Sequence, residues 1–258
     1  MKFTHVLPLF GAFFATSLVS HSATVVIGPA TVEGSGEIGE PVNGYGSFSG
    51  NTVQFVLPNS ILISLRSSNI TGLAFRLDNS YAPSLPSFGY DQMTIQIGYT
   101  SASDLSGLTD ISANITAATG SVTTYNQGFY YGPNAFPNGA APGSETPNNF
   151  GPFINFTNSF AYTTGNLLVT IRHNVPITPE GDPFFVASYY SSDAEDLGTQ
   201  VVIGEGVDAT SGFNYGYTPV IAFTNDVLAA NYVIPEPTSA LLGALGLSGS
   251  VLLRRRKA

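Results

Sequence analysis

Between its two ends, apolar residues in this chain recur at every second position rather than at every third or fourth. That period belongs to strands, because successive side chains of an extended backbone point to opposite faces. The alternating segments are 24–27, 52–57, 61–66, 70–77, 93–99, 122–125, 153–156, 167–172, 184–190, 200–203 and 220–223. They are rich in Val, Ile, Thr, Phe and Tyr, and Gly, Pro, Asn and Ser punctuate them. Eleven short strands in roughly 210 residues predict an all-β fold, a jelly-roll-like β-sandwich. A β-helix is the alternative, but no repeat of fixed period occurs. Only 104–108 and 111–118 carry helical signals, one or two turns each. Segments 132–152 and 33–50 are too dense in Gly, Pro and Asn to keep a ladder and read as loops. The pair Gly165-Asn166 suits a tight turn with positive φ.

Charge narrows the partners. Charged residues are only 10% of the chain. Between residues 24 and 234 there are three arginines, no lysine and 16 acids, a formal charge of -13. Such a body repels phosphate backbones, so nucleic acid is excluded as a partner. The absence of lysine removes Schiff-base and P-loop chemistry, and the absence of cysteine removes disulfides, thiolate metal sites and thiol nucleophiles.

The two ends are built differently from the middle. Met1–His5 carries Lys2, residues 6–19 are apolar apart from Thr16 and Ser17, and Ser20-His21-Ser22-Ala23 supplies small residues. This order predicts a secretory signal peptide, cleaved after Ala23 or after Ser22. At the other end Pro235-Glu236-Pro237 precedes 16 uncharged residues, 238–253, and then Arg254, Arg255, Arg256 and Lys257. The apolar run is long enough for a single transmembrane helix of about 24 Å. The basic stop holds the cytoplasmic side, so the body lies across the inner membrane from it. The expected organisation is 1–23 signal peptide, 24–232 β-sandwich domain and 233–258 sorting segment. The entry route this implies is the Sec export machinery.

The tail resembles the PEP-CTERM sorting signal of Gram-negative bacteria over 235–257. The resemblance implies that exosortase, a membrane protease-transpeptidase, recognises Pro235, Glu236 and Pro237 and removes the helix and basic cluster beyond them. A simple tail anchor would need the helix and the basic cluster but not the Pro-Glu-Pro. Two prolines also keep the chain extended and accessible to a protease. Inside the body, Ile70-Thr71-Gly72-Leu73-Ala74-Phe75-Arg76-Leu77-Asp78, Met93-Thr94-Ile95-Gln96-Ile97, Phe160-Ala161-Tyr162 and Gly165–Arg172 look like the β-sandwich of PEP-CTERM surface proteins. The implied localisation is the cell surface or secreted matrix, after an inner-membrane stage. The implied role is structural or binding rather than enzymatic. The alternatives are a secreted polysaccharide-active enzyme, and a membrane-anchored protein whose tail is never processed.

Chemistry in the body is sparse. His173 is the only histidine after the signal. Beside Arg172 at a strand end, it is expected on the surface, and no G-x-S-x-G elbow accompanies it. Gly34-Ser35-Gly36-Glu37-Ile38-Gly39 matches a dinucleotide fingerprint, but Glu33, Glu37 and Glu40 would repel pyrophosphate and Pro41 blocks the required helix. Asp193, Glu195 and Asp196 are the candidate Ca²⁺ ligands, against the reading of a solvated acidic turn. No other cofactor is expected. Tyr130, Tyr131, Tyr189 and Tyr190 are candidate platforms for stacking on extracellular polysaccharide, against the reading of packing residues. Arg76 and Asp78 share one strand face and are expected to pair at a sheet edge.

Overall fold

The computed structural model describes residues 22–27, 40–41, 50–75, 88–132, 135, 149–174, 176–177, 185–186, 188–190, 200–215 and 217–227. All of them belong to one compact unit, Ser22–Leu228. In chain order its strands are β1 (Ser22–Ile27), β2 (Glu40–Pro41), β3 (Asn51–Leu57), β4 (Ser68–Phe75), β5 (Phe88–Thr100), β6 (Thr119–Tyr131), β7 (Ile154–Tyr162), β8 (Asn166–His173), β9 (Pro176–Ile177), β10 (Phe185–Val186), β11 (Ser188–Tyr190), β12 (Val201–Glu205), β13 (Phe213–Tyr215), β14 (Tyr217–Pro219) and β15 (Ile221–Val227). One helix, α1 (Ile111–Ala117), separates β5 from β6.

The fold is all-β, with two main antiparallel sheets. The smaller has the order β1-β15-β4-β7. The larger has the order β13-β12-β3-β8-β5-β6, with β9 also on β5. Two short antiparallel pairs, β2 with β10 and β11 with β14, stand apart from these sheets. Alternation decides what each main sheet turns inward. From the larger sheet, Phe55, Leu57, Ile95, Ile97, Val169 and Ile171 enter a common core with Ile70, Leu73, Ile221 and Phe223 of the smaller. A fully buried side chain of this size contributes about 1.5–3 kcal/mol. Along one side the sheets are also fastened by polar contacts. Thr157 Oγ1 on β7 donates to Thr124 O on β6 at 3.0 Å, and Asn158 Nδ2 donates to Thr123 O at 3.1 Å.

Most expected strands are present but longer. Segment 122–125 grows into Thr119–Tyr131, and 153–156 into Ile154–Tyr162. Both are polar on one face and lie at sheet edges, so apolar runs alone under-measure them. One expectation fails. Segment 61–66 is not a strand but two consecutive 3-10 turns, Asn59–Ile61 and Ile63–Leu65. Leu62 and Leu65, three apart, are buried, while Ile63 is 61% exposed. That spacing fits the three-residue turn of a 3-10 helix and not a pleat. Asn59 holds these turns against the β7–β8 hairpin. Its N–H donates to Asn166 Oδ1 at 2.8 Å, and its Oδ1 accepts from Gly165 N at 3.2 Å. Gly165 has φ +120°, so the hairpin takes the positive φ expected of it.

Helix α1 follows its sequence signals. The Asp110 carboxylate caps it, accepting from Ala113 N at 2.8 Å. The other helical expectation, 104–108, is only a turn closed by Leu108 N donating to Leu105 O. Expected strand 184–190 is split into β10 and β11, and each pairs with a different strand.

Candidate functional site

The outer face of the larger sheet holds a buried polar network. On β3 and β8, Val56, Leu168, Gln54, Thr170, Thr52 and Arg172 face away from the core, in register across the two strands. Helix α1 covers part of this face. Ile111 joins Val56, Leu105, Leu168 and Val202 in a second apolar cluster there. Gln54 lies fully buried beneath the helix. Its Nε2 donates to Ile111 O at 3.2 Å and to Thr170 Oγ1 at 3.1 Å. Its Oε1 accepts from Asn114 Nδ2 at 3.0 Å. Asn114 Nδ2 also donates to Leu108 O at 2.9 Å. Asn214 Nδ2 donates to Leu105 O and ties β13 to the same covering loop. Beside the helix, Gln96, Gly98, Ile115, Ala118, Ser121 and Thr170 surround a shallow dimple with no room for a water molecule. A Cβ on Gly98 would meet Ser121 Oγ at 2.3 Å and the Cβ atoms of Ser121 and Ala118 at 3.2 and 3.3 Å, so a side chain there would turn the Ser121 hydroxyl away and push its neighbours slightly apart.

Arg172 follows Thr170 along this face, opposite Thr52, which is fully buried and donates through Oγ1 to Gly206 O at 3.0 Å and Val207 O at 2.9 Å. Arg172 is half-buried, and its Cα partners are Thr52 and Thr94. Its Nε is shielded from solvent without an acceptor among the described residues.

The inner face ends in an aromatic group. The expectation that His173 is a surface residue is wrong: it is fully buried. Its ring packs on Tyr90 with centroids 4.4 Å apart, and its Nδ1 lies 2.9 Å from Asn174 O. The reason is register. Ile171 points to the core, so His173 two residues on does too. Burial pushes the Tyr90 hydroxyl well above the usual tyrosine range. Burial does the same to Tyr131, with Tyr90 and Tyr125 adding to the shift.

The expected platform tyrosines do not form one group. Tyr130 is 62% exposed and can offer a ring face, whereas Tyr131 is 3% exposed and packs edge-on against Phe129 in the core. Neighbours on a strand must face opposite ways, so one of the pair had to be a packing residue. Tyr189 and Tyr190 lie on β11, with Thr218 and Tyr217 of β14 as Cα partners. Asp193, Glu195 and Asp196, the Arg76–Asp78 pair, Pro235, Glu236 and Pro237, and the Arg254–Lys257 cluster lie outside the described residues. Among the described residues no three His, Asp or Glu side chains gather as metal ligands. Among them, too, no helix is long and apolar enough to cross a membrane.

Nothing in the local pattern singles out Gln54, Thr170 and Arg172 as a group. Each is a polar residue on the outward register of an otherwise apolar strand, and that interruption is the one signal the sequence carries for them. No protein-family model matches the chain, and no curated protein matches it.

Proposed function

We propose that this is an exported protein of a Gram-negative bacterium, sorted at the inner membrane by exosortase through Pro235, Glu236 and Pro237. Its body, a jelly-roll-like sandwich, then serves at the cell surface or in the matrix in a structural or carbohydrate-binding role. The observation that carries this reading is the order of the tail: Pro-Glu-Pro, 16 uncharged residues, then Arg254–Lys257. A bare anchor accounts for the last two elements and leaves the first without a purpose.

The placement of the body's first and last strands supports the reading. β1 and β15 are antiparallel neighbours, with Ser22 opposite Asp226. The chain therefore enters and leaves the folded unit at one place. Seven residues, 228–234, link this point to the Pro-Glu-Pro. They reach at most about 25 Å when extended. Cleavage after Ala23 would trim two residues from β1 and leave 24–27 paired with 221–224.

Mass spectrometry of the exported pool tests this. The expected mature chain begins at Ala23 or Thr24 and lacks everything beyond the Pro-Glu-Pro region. An intact peptide spanning Leu252-Leu253-Arg254 in that pool would refute sorting and leave a membrane-anchored protein.

A further inference from the structure

The four strands of the smaller sheet carry one charged side chain, Asp226. It stands on β15 opposite Ser22 of β1, at the junction where the signal peptide is expected to be cut. We propose that Asn225 and Asp226 form the binding site for the chain's own new amino terminus, the ammonium of Ala23 left by cleavage after Ser22. The proposal rests on the export reading for the cut itself and goes beyond it by assigning what the cut end binds.

Register places the amine. Ser22 is opposite Asp226, and Ala23 is opposite Asn225. A backbone nitrogen lies between its own Cα and the one before it, so the Ala23 nitrogen falls between the positions facing these two residues. Opposed Cα atoms of an antiparallel pair are about 4.5–5.5 Å apart, which brings an ammonium there within reach of the Asp226 carboxylate. Alternation sends the two side chains to opposite faces. Phe223 faces the core, and so does Asn225, which is 2% exposed. Asp226 is half-buried on the outer face. An ammonium has three donors and can serve an acceptor on each face.

Both acceptors are suited to it. The Asn225 Oδ1 is shielded from solvent and meets no donor among the described residues, although its cross-strand neighbours Ala23 and Ile70 are both described. A buried acceptor left in this way is costly, and a donor gained later relieves it. Asp226 has no rival: β1, β15 and β4 carry no Lys, Arg, His or second acid. The charge created by the cut therefore meets the one carboxylate of its sheet. Removal of Ser22 also leaves β1 with five residues, 23–27, paired along β15. The end of so short a terminal strand is poorly ordered unless it is tied down. The clasp ties it to the strand that continues into the tail. Cleavage after Ala23 does this less well, because the Thr24 nitrogen lies one residue, about 3.4 Å, further from Asp226.

The test uses chains 23–258 and 24–258 in detergent, each released from an N-terminal fusion that leaves no extra residue. Trace acetylation with acetic anhydride across pH, read by mass spectrometry, titrates the terminal amine. Lys257 is the one other amine in these chains and serves as the internal reference. The Ala23 amine should titrate about one unit above the 7.7–8.0 of a free amino terminus, a tenfold gain in proton affinity. The Thr24 amine should show less than half of that shift. Asp226→Asn should remove most of it, and Asn225→Ala a smaller part. A pKa raised by folding stabilises fully below about pH 8, and the gain is lost as pH rises through the folded value. The free chain should therefore melt about 1–3 °C above its N-acetylated form at pH 7, and level with it at pH 10. Should Asp226→Asn fail to fold, the acetylated chain carries the comparison. An unshifted Ala23 amine, an equal shift in Asp226→Asn, a shift as large at Thr24, or equal melting at pH 7 would overturn the proposal. Both chains begin at a chosen residue, so these results do not depend on export. An exported pool that still begins at Met1 would refute the export reading alone.

Discussion

Phe55 and Gln54 are consecutive residues of β3, both fully buried, and they illustrate two ways of covering a sheet. Phe55 faces the smaller sheet, whose Ile70, Leu73, Ile221 and Phe223 share its apolar core. Gln54 faces a helix of only seven residues. A helix that short is not stable alone in water and must be held by its surroundings. Its apolar contacts come from Ile111 and the partly buried Ile115, and specific hydrogen bonds to Gln54 and the Asp110 cap supply the rest. Broad cover thus gives an interior fixed by volume, while narrow cover gives one fixed by hydrogen-bond geometry. Beyond the helix the face becomes polar, with Thr52 buried under the Gly206 and Val207 carbonyls and Arg172 half-buried beside it.

The largest expected effect strikes the inner face through pH. Tyr90 and Tyr131 are buried neutral, with hydroxyls raised far above the tyrosine value of about 10. Tyr162 is raised as well, by burial first, with Arg66 pulling it back. Above pH ~10 the unfolded chain releases these protons and the folded one does not, so the unfolded state gains. The stabilisation is complete below that pH and is lost as pH climbs toward the folded values. The expected outcome is cooperative alkaline unfolding in which part of the tyrosinate absorbance appears only with loss of the strand signal. Smooth ionisation of all tyrosines before any unfolding would mean that the inner face is not sealed.

Next in size is Phe55→Ala. It removes a ring from the centre of the shared core and should cost about 3–5 kcal/mol. Denaturant titration reads this as a lower midpoint with an unchanged slope. A cost under about 1 kcal/mol would mean that the two sheets pack loosely at this point.

The sequence disclosed the strands whose inward positions are uniformly apolar, as in β3 and β8, and the cap that starts α1. It undersold β6, whose outward positions are Thr, Ser, Asn and Gln, because a half-polar strand has little hydrophobic signal. It misread 61–66, since Ile-Leu-Ile-Ser-Leu satisfies a period of two and of three equally well until tertiary contacts choose. It placed His173 outside, since a polar residue at the end of an apolar run looks like an exit from the core. Which of Tyr130 and Tyr131 faces water depended on the register of β6 against β5, a pairing interrupted by three irregularities. No local pattern encodes such interruptions. The outer polar face needed two strands aligned before Gln54, Thr170 and Arg172 became one surface.

The smallest effect is the most discriminating. Gln54→Ala removes two donated bonds and one accepted bond around α1, and should cost about 1–3 kcal/mol, less than Phe55→Ala despite equal burial. The losses are incomplete because Asn114 Nδ2 keeps Leu108 O, and the Asp110 cap is untouched. The damage should also be local. Amide protons of Asn114 and Ala118, which close the helix onto Asp110 and Asn114, should exchange faster with solvent. Those of Val169 and Ile171, on the core register of β8, should slow or quicken only with global stability. Phe55→Ala should show the reverse pattern, with protection falling across β8 and α1 together. If Gln54→Ala instead loosens β8 as much as α1, the hydrogen bonds under the helix are holding the sheet and not merely the helix. The contrast between the two faces would then collapse into a single cooperative interior.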